Sequence, residues 1–244
     1  MPRIYLSPST QEGNMYVTGG SEEFYANLIA DAMVRYLQSS GVQYTRNTKD
    51  MTAASSIAQS NSGNYDLHLA IHTNAAPEGQ YGDYRGIDVY YSPGSTLGRR
   101  GADIFVRNLK KIYPVPSDVR ALPTTEIGEV TQTRAPAIFL ELGYHDNVED
   151  AEWIKNNIDA IGRNLALSVA EYFGIPLVDP QAPRRARVNI SGGTLNLRNR
   201  PNLNSRILAS MPNGANLTVL GAWRDWYVVN YEGIVGYAAK RYIS

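Results

Sequence analysis

The feature that most constrains the fold of this chain is a change in hydrophobic patterning near residue 176. Before that point strand-like and helix-like segments alternate, which is typical of an α/β domain whose mostly parallel or mixed sheet is flanked by helices. After it, short β-rich runs are separated by Gly, Asn and Pro, which predicts a small all-β barrel. The proline-rich stretch 176–185 predicts a linker. The sequence therefore predicts one domain over 1–175 and a second over 186–244.

The boundaries of individual segments follow from their periodicity. Apolar residues recur every three to four positions where we predict helices, and they alternate or run continuously where we predict strands. The predicted helices cover 21–38, 51–59, 97–112 and 151–173. The predicted strands cover 3–6, 42–46, 66–72, 86–91 and 137–143 in the first domain, and 194–198, 216–220, 226–231 and 233–237 in the second.

Composition limits the chemistry that the chain can perform. It has no cysteine and three histidines, His68, His72 and His145, so any metal ion must be held by imidazole, carboxylate or neutral oxygen donors. Its formal net charge is zero, which argues against nucleic acid as a partner. No run approaches the roughly 18 apolar residues that cross a bilayer, so we predict no membrane insertion.

Three side chains of the first domain stand at positions that are typical of functional residues. His72 closes a predicted strand, and strand ends point into the crevice where open α/β sheets place their sites. Glu141 interrupts an apolar strand, where a carboxylate is costly to bury unless it is paired or lies near a metal. Glu23 lies in the first turn of a predicted helix, where the helix dipole favours an anion. Taken singly, His72 and Glu23 have ordinary structural explanations; together the three residues can supply two metal ligands and a general base.

The order and local context of these residues resemble the type-3 N-acetylmuramoyl-L-alanine amidases. Glu23 stands four residues before Asn27, as the zinc-binding Glu of that family does at the start of its first helix. The segment 71–75 (IHTNA) matches the family's strand-end Ile-His-x-Asn-Ala motif, and 141–147 (ELGYHDN) matches Glu-x-Gly-aromatic-x-x-Asn. The resemblance covers roughly residues 3–174. It implies Zn²⁺ as cofactor, Glu23 and His72 as ligands and Glu141 as the catalytic residue.

One position departs from the family pattern. The turn after the first strand, which carries the first zinc-binding His in an Asp-Pro-Gly-His-Gly motif, reads Ser-Pro-Ser-Thr-Gln over residues 7–11. Strand spacing puts His68 roughly 13 Å from His72, too far to share one ion, so we assign it a structural role. His145 lies just beyond the strand that carries Glu141 and is our first candidate for the third ligand. Gln11 and Glu12 are the alternatives, although Gln is a poorer zinc ligand than His.

The second domain resembles the bacterial SH3-like domains of wall hydrolases. The resemblance covers nearly all of residues 187–243 and rests on the segments TLNLRNRP, WYVV and GIVGY. It implies that this domain holds the protein on the cell wall. A plain β-barrel spacer with an aromatic core is the simpler alternative.

The two resemblances imply a hydrolase that cleaves the amide between N-acetylmuramic acid and L-alanine, with bacterial peptidoglycan as its partner. The first residues show no signal-peptide pattern, so we predict synthesis in the cytosol and action on the wall after holin-type release. That describes a phage endolysin; an autolysin exported by another route is the alternative. Because the first His of the family is missing, a catalytically inactive wall-binding or regulatory relative is a competing hypothesis, and a zinc peptidase acting on the stem peptide is a weaker one.

Overall fold

The structure is a computed structural model that describes residues 1–244. The chain divides into two compact units. One comprises Arg3–Val34 and Tyr44–Tyr172, and the other comprises Met1–Pro2, Arg35–Gln43 and Phe173–Ser244.

A six-stranded mixed sheet forms the centre of the first unit. Its strands are β1 (Arg3–Pro8), β2 (Gln43–Arg46), β3 (Leu67–Asn74), β4 (Ile87–Tyr91), β5 (Val119–Pro123) and β6 (Ala137–Tyr144), in the order β2-β1-β3-β6-β4-β5. The pairs β1–β3, β3–β6 and β4–β5 are parallel, whereas β4–β6 is antiparallel. The central strands β3 and β6 are buried along nearly their whole length, as expected for strands covered on both faces.

Helices cover both faces of this sheet. They are α1 (Glu22–Ser39), α2 (Ala53–Ser62), α3 (Thr96–Leu109), α4 (Gly128–Thr131), α5 (Val148–Asn156) and α6 (Ile158–Phe173). On one face Phe139 of β6 packs with Val130 of α4. On the other, Ile138 lies so close to Gly101 of α3 that any side chain at residue 101 would collide with it. Because consecutive strand residues point to opposite faces, this pair shows α3 and α4 on opposite sides of β6.

The α/β architecture predicted from the sequence is confirmed, with two elements missing from the prediction. The strand β5 is short and carries an exposed Arg, and α4 is a single turn that begins at Gly128. Neither segment has enough residues to show a periodic pattern, and a one-turn helix depends on packing rather than on propensity.

The C-terminal part of the second unit is all β. Its strands β7 (Arg184–Arg187), β8 (Thr194–Arg198), β9 (Ile207–Pro212), β10 (Asn216–Trp223), β11 (Trp226–Tyr231) and β12 (Ile234–Ala239) form a second sheet in the order β7-β10-β11-β12-β8-β9. Leu197, Met211 and Val229 are buried at its core. The turn between β11 and β12 consists of Glu232 and Gly233, both with positive φ, which suits a two-residue hairpin. The strand β7 begins inside the stretch that the sequence predicts to be a linker.

No helix of the structure combines the length and the apolar character that a bilayer crossing requires.

Candidate active site

A row of polar side chains crosses the first sheet, in the C-terminal halves of its central strands β3 and β6. In the strand register His72 of β3 is paired with Glu141 of β6. Glu141 is in turn paired with Asp88 of β4, and Asp88 with Arg120 of β5. Register partners on neighbouring strands project from the same face of a sheet. Since β1, β3 and β6 are parallel, their carboxyl ends meet at one edge, the usual position of a site in an open α/β sheet.

His72 lies between two carboxylates. Its Nδ1 is 2.8 Å from Oε1 of Glu22, and its Nε2 is 3.3 Å from Oε2 of Glu129. The imidazole also stacks on the Phe139 ring, with the centroids 4.4 Å apart. Burial alone would lower the pKa of His72, but the hydrogen bonds and charges of Glu129 and Glu22 outweigh burial and raise this pKa to about 10. Contacts at both ring nitrogens therefore fix the orientation of the imidazole.

Glu129 belongs to the site although the sequence analysis does not identify it. Its side chain is buried; Oε1 accepts a hydrogen bond from Ser7 Oγ at 2.5 Å and lies 3.1 Å from His68 Nε2. Burial raises the pKa of Glu129, but hydrogen bonds to His68 and His72 and their charges lower it to about 2, so the carboxylate is ionised. The only available signal was a carboxylate within the short apolar segment 127–130.

His68 is held entirely within the core. Its side chain is 0% exposed, and its Nδ1 lies 3.0 Å from Ser60 Oγ on α2. It projects from the same face of β3 as His72, as strand alternation predicts. Both of its ring nitrogens have partners in the core, so the contacts of His68 are those of a structural residue that helps to hold Glu129.

Glu22, rather than Glu23, lies at His72. Glu22 is 1% exposed, its Oε1 also accepts a hydrogen bond from Thr73 N, and its Oε2 accepts one from Asn14 Nδ2 at 2.6 Å. The Oε1 of Glu23 instead lies 2.9 Å from Lys49 Nζ. Successive residues of a helix project about 100° apart, so the two neighbouring carboxylates cannot face the same group. The structure thus places Glu22 beside His72, where the sequence predicts Glu23.

The loop after β1 brings an amide to His72. The Nε2 of Gln11 is 3.4 Å from His72 Nδ1, and its Oε1 accepts a hydrogen bond from Asn14 Nδ2 at 2.9 Å. Asn14 thus bridges Gln11 and Glu22. The neighbouring Glu12 is exposed. Of the two alternatives that the sequence offers for the missing His, the structure brings Gln11 to the site.

His145 does not join Glu22 and His72. Its Nδ1 lies 3.3 Å from Thr73 Oγ1, and its ring stacks on Tyr16 with the centroids 5.9 Å apart. Thr73 follows His72 on β3, and adjacent strand side chains point to opposite faces. The predicted set of Glu23, His72 and His145 is therefore not assembled in the structure: His145 contacts Thr73 and Tyr16, and Glu23 contacts Lys49.

The donors at His72 suit one cation. Oε1 of Glu22 and Nδ1 of His72 are close enough to bind the same ion, and the Gln11 amide lies beside them. Across residues 1–244 no group of three or more His, Cys, Asp or Glu has the spacing to hold a metal. Gln11 is the neutral side chain beside this pair: its Nε2 faces His72 Nδ1, and its Oε1, which accepts from Asn14, is the atom with which an amide binds a metal. A set completed by this oxygen is weaker than one with two imidazoles.

Glu141 has a free carboxylate oxygen. The residue is partly exposed, yet its Oε2 is buried and has no hydrogen-bond partner. Burial raises the pKa of Glu141 to about 8; the charges of Glu22 and Asp88 act in the same direction, and His72 opposes them. A carboxylate with an elevated pKa and an unused oxygen is suited to accept and return a proton.

Arg120 balances the negative charge of Asp88, the carboxylate next to Glu141 in the row. Its Nε donates to Asp88 Oδ1 at 2.9 Å and its Nη2 donates to Asp88 Oδ2 at 3.1 Å. This bidentate pair fixes the position of a charge next to Glu141. Burial raises the pKa of Asp88, and Arg120 partly offsets the rise.

A buried Asp fixes the segment that follows Glu141. The Oδ2 of Asp150 accepts hydrogen bonds from Gly86 N and Tyr144 N at 2.9 and 3.0 Å, and its Oδ1 accepts one from Tyr113 OH at 2.5 Å. Gly143 has φ 116°, and a Cβ there would lie 3.2 Å from the Asp150 side chain. Only glycine adopts this backbone readily, so Gly143 and Asp150 together set the end of β6.

We expect Asp150→Asn to lower the free energy of unfolding by about 2–4 kcal/mol, because an amide NH₂ would replace one oxygen that accepts buried hydrogen bonds. Urea unfolding measures the change. Asp103→Asn, the same substitution at an exposed position of α3, should change it by less than about 0.5 kcal/mol. Equal losses in the two variants would mean that Asp150 does not hold this segment.

Comparisons with known proteins agree with this geometry. The family model described as N-acetylmuramoyl-L-alanine amidase matches residues 8–171, and the one described as bacterial SH3 domain matches residues 193–244. The search of curated proteins gives no match.

Solved structures of amidases share the fold of the first part of the chain. AmiC2 of Nostoc punctiforme aligns with a TM-score of 0.62 and 16% identity over 71% of this chain and 97% of its own. The catalytic domain of CwlV from Bacillus (Paenibacillus) polymyxa aligns with a TM-score of 0.62 and 14% identity over 72% of this chain and 100% of its own. The catalytic domain of the CD27L endolysin, which targets Clostridia difficile, aligns with a TM-score of 0.55 and 18% identity over 70% and 98%.

The fold is an α/β domain followed by a C-terminal bacterial SH3 domain. The chain belongs to the N-acetylmuramoyl-L-alanine amidase family, because that family's model matches two thirds of it. It is a peptidoglycan hydrolase, and the amide between N-acetylmuramic acid and L-alanine is the bond that the family cleaves.

Proposed function

We propose that the protein is a zinc-dependent amidase in which Glu22 and His72 hold the ion, the Gln11 amide completes the protein ligands, and Glu141 is the general base. The observation that carries the proposal is the meeting of Glu22, His72 and Gln11 at the edge of the sheet where Glu141 offers an unpartnered oxygen. Catalytic zinc takes three protein ligands and leaves a position for water.

A bound zinc ion would supply Lewis-acid polarisation of the scissile carbonyl and of water. The chain's own residues supply the proton transfers. Glu141 accepts the proton of the attacking water and returns it to the leaving amine of L-alanine. His72 must be deprotonated when it holds a metal at Nδ1, so binding of the ion releases a proton.

Glu129 orients the metal-binding imidazole in this proposal. Its Oε2 lies at His72 Nε2, so Nε2 carries the hydrogen and Nδ1 is left for the metal. A carboxylate that accepts the other ring N–H of a ligating His fixes its tautomer and raises its basicity. Ser7 and His68 hold Glu129 in turn.

Analysis of wall digests tests the function directly. We expect incubation with purified peptidoglycan to release new L-alanine N-termini in proportion to time, without new reducing sugar. New reducing ends would identify a glycosidase, and new termini within the stem peptide would identify a peptidase. If no bond is cleaved although the protein sediments with the wall, it is the inactive wall-binding relative, and the proposal is wrong.

The place of action is also a proposal. Peptidoglycan lies outside the membrane, so a chain made in the cytosol must be released to reach it. Holin-type release in a phage endolysin is the route that we favour, because the first residues show no signal-peptide pattern. An exported autolysin would act on the same bond.

A further inference from the structure

The charges of the chain are unevenly distributed. Residues 184–244 contain nine Lys and Arg but two Asp and Glu, a formal charge of +7. Residues 1–183 contain fourteen Lys and Arg against twenty-one Asp and Glu, a formal charge of −7. The zero net charge of the whole chain therefore hides a strongly basic C-terminal β sheet. A surface with this excess attracts anions over distances of about 10 Å at ordinary salt concentration.

Two of these arginines line one groove of the β sheet. The groove has a volume of about 660 Å³ and runs across β7, β10 and β11. In the strand register Arg185 is paired with Thr218, which is paired with Asn230 on its other side. Arg187 is paired with Asn216 and donates from Nε to its Oδ1 at 3.0 Å. Partners in register project from the same face, so guanidinium, hydroxyl and amide groups share this surface.

Side chains of this kind recognise a polyhydroxylated anion. Guanidinium groups bind the oxygens of phosphate in pairs, and their charge does not titrate at physiological pH. Asn and Thr side chains supply donors and acceptors for neighbouring hydroxyl groups. Glu232 also lines the groove and sets one negative charge against the two arginines.

We propose that Arg185 and Arg187 bind the phosphodiester groups of an anionic polymer attached to the bacterial wall. The proposal rests on the membership of the chain in a peptidoglycan hydrolase family, because the polyanion that such a protein meets is the one that is linked to its substrate. The spacing of the arginines supports a repeating ligand: they are two residues apart on one strand, so about 7 Å separates their Cα atoms. The acidic first part of the chain is expected to be repelled by the same polymer.

The test uses the full chain and oligo(glycerol phosphate) as the probe. We expect binding that weakens as salt rises from 50 to 200 mM. In the variant that combines Arg185→Gln and Arg187→Gln, the slope of log affinity against log salt should fall by about 1.4, and affinity at the lowest salt should fall about fivefold or more. The control combines Arg206→Gln and Arg241→Gln, which remove the same charge from exposed positions outside the groove, and should lose less than half of that effect.

Binding to purified bacterial walls is the second part of the test. Cold hydrofluoric acid removes phosphodiester polymers from purified walls, and it should abolish most of the arginine-dependent sedimentation of the protein. Equal losses in the two double variants would show that diffuse charge, rather than this groove, binds the polymer. Unchanged binding to acid-treated walls, or binding to double-stranded DNA as tight as to the probe, would also overturn the proposal. Cleavage of soluble muropeptides should be normal in every variant, and its absence in the wild type would count against the amidase assignment alone.

Discussion

Glu141→Gln is expected to reduce amide cleavage by about 10²- to 10⁴-fold, because glutamine keeps the shape of the side chain but cannot accept the proton of water. We expect the substitution to leave the stability of the fold nearly unchanged. The Oε2 of Glu141 makes no hydrogen bond in the structure, so the substitution breaks no buried contact there, and burial of a neutral amide costs less than burial of a charge. Release of L-alanine N-termini from purified peptidoglycan measures the activity, and thermal unfolding checks the fold.

A matched control separates the role of Glu141 from a general effect of lost charge. Glu126→Gln removes a carboxylate from an exposed loop residue and should leave turnover within about twofold of wild type. If Glu141→Gln kept turnover near the wild-type rate, another group would be the base. If it lost activity together with its cooperative unfolding transition, the loss would be structural.

Sequence patterns predicted the parts of the site that lie on long, regular elements. His72 and Glu141 stand on β3 and β6, whose continuous apolar runs indicate buried strands, and the strand ends indicate the edge of the sheet. Their register across the sheet follows from the parallel pairing of these two strands. The prediction of an α/β domain followed by a β-rich domain rests on the same periodic signals.

Residues on short or irregular segments were harder to predict. Glu129 reaches His72 from a single-turn helix, and no periodicity marks one turn. The choice between Glu22 and Glu23 depends on where α1 begins, and boundaries are the least certain part of any such prediction. The four-residue spacing to Asn27 favoured Glu23 over Glu22. In the structure Asn27 donates to the backbone oxygen of Glu23 and accepts from Arg46, so it has no contact with the Glu23 carboxylate that would hold it at the site.

Net charge shows another limit of prediction from composition. A value of zero over 244 residues argued against nucleic acid as a partner, yet charge acts over about a Debye length and not over a whole chain. The partition of the charge between residues 1–183 and 184–244 becomes informative only when the domain boundary is considered with it. Strand register adds the position of Arg185 and Arg187 on one face, which composition alone does not contain.

The metal ligands can be identified by the zinc content of purified variants. We expect Glu22→Gln and His72→Ala to lose nearly all bound zinc, because each removes a donor from the pair whose oxygen and nitrogen lie 2.8 Å apart. Gln11→Ala should lower zinc affinity less severely, since a neutral amide is a weak donor that water can replace.

Glu23→Gln is the matched control for Glu22→Gln. It changes the adjacent residue in the same way but removes only an ion pair with Lys49, so zinc content should stay near one ion per chain. His145→Ala should also keep its zinc, because that ring contacts Thr73 and Tyr16 instead of the other donors. Loss of zinc in His145→Ala to the same extent as in His72→Ala would restore His145 as the third ligand and refute the assignment of Gln11.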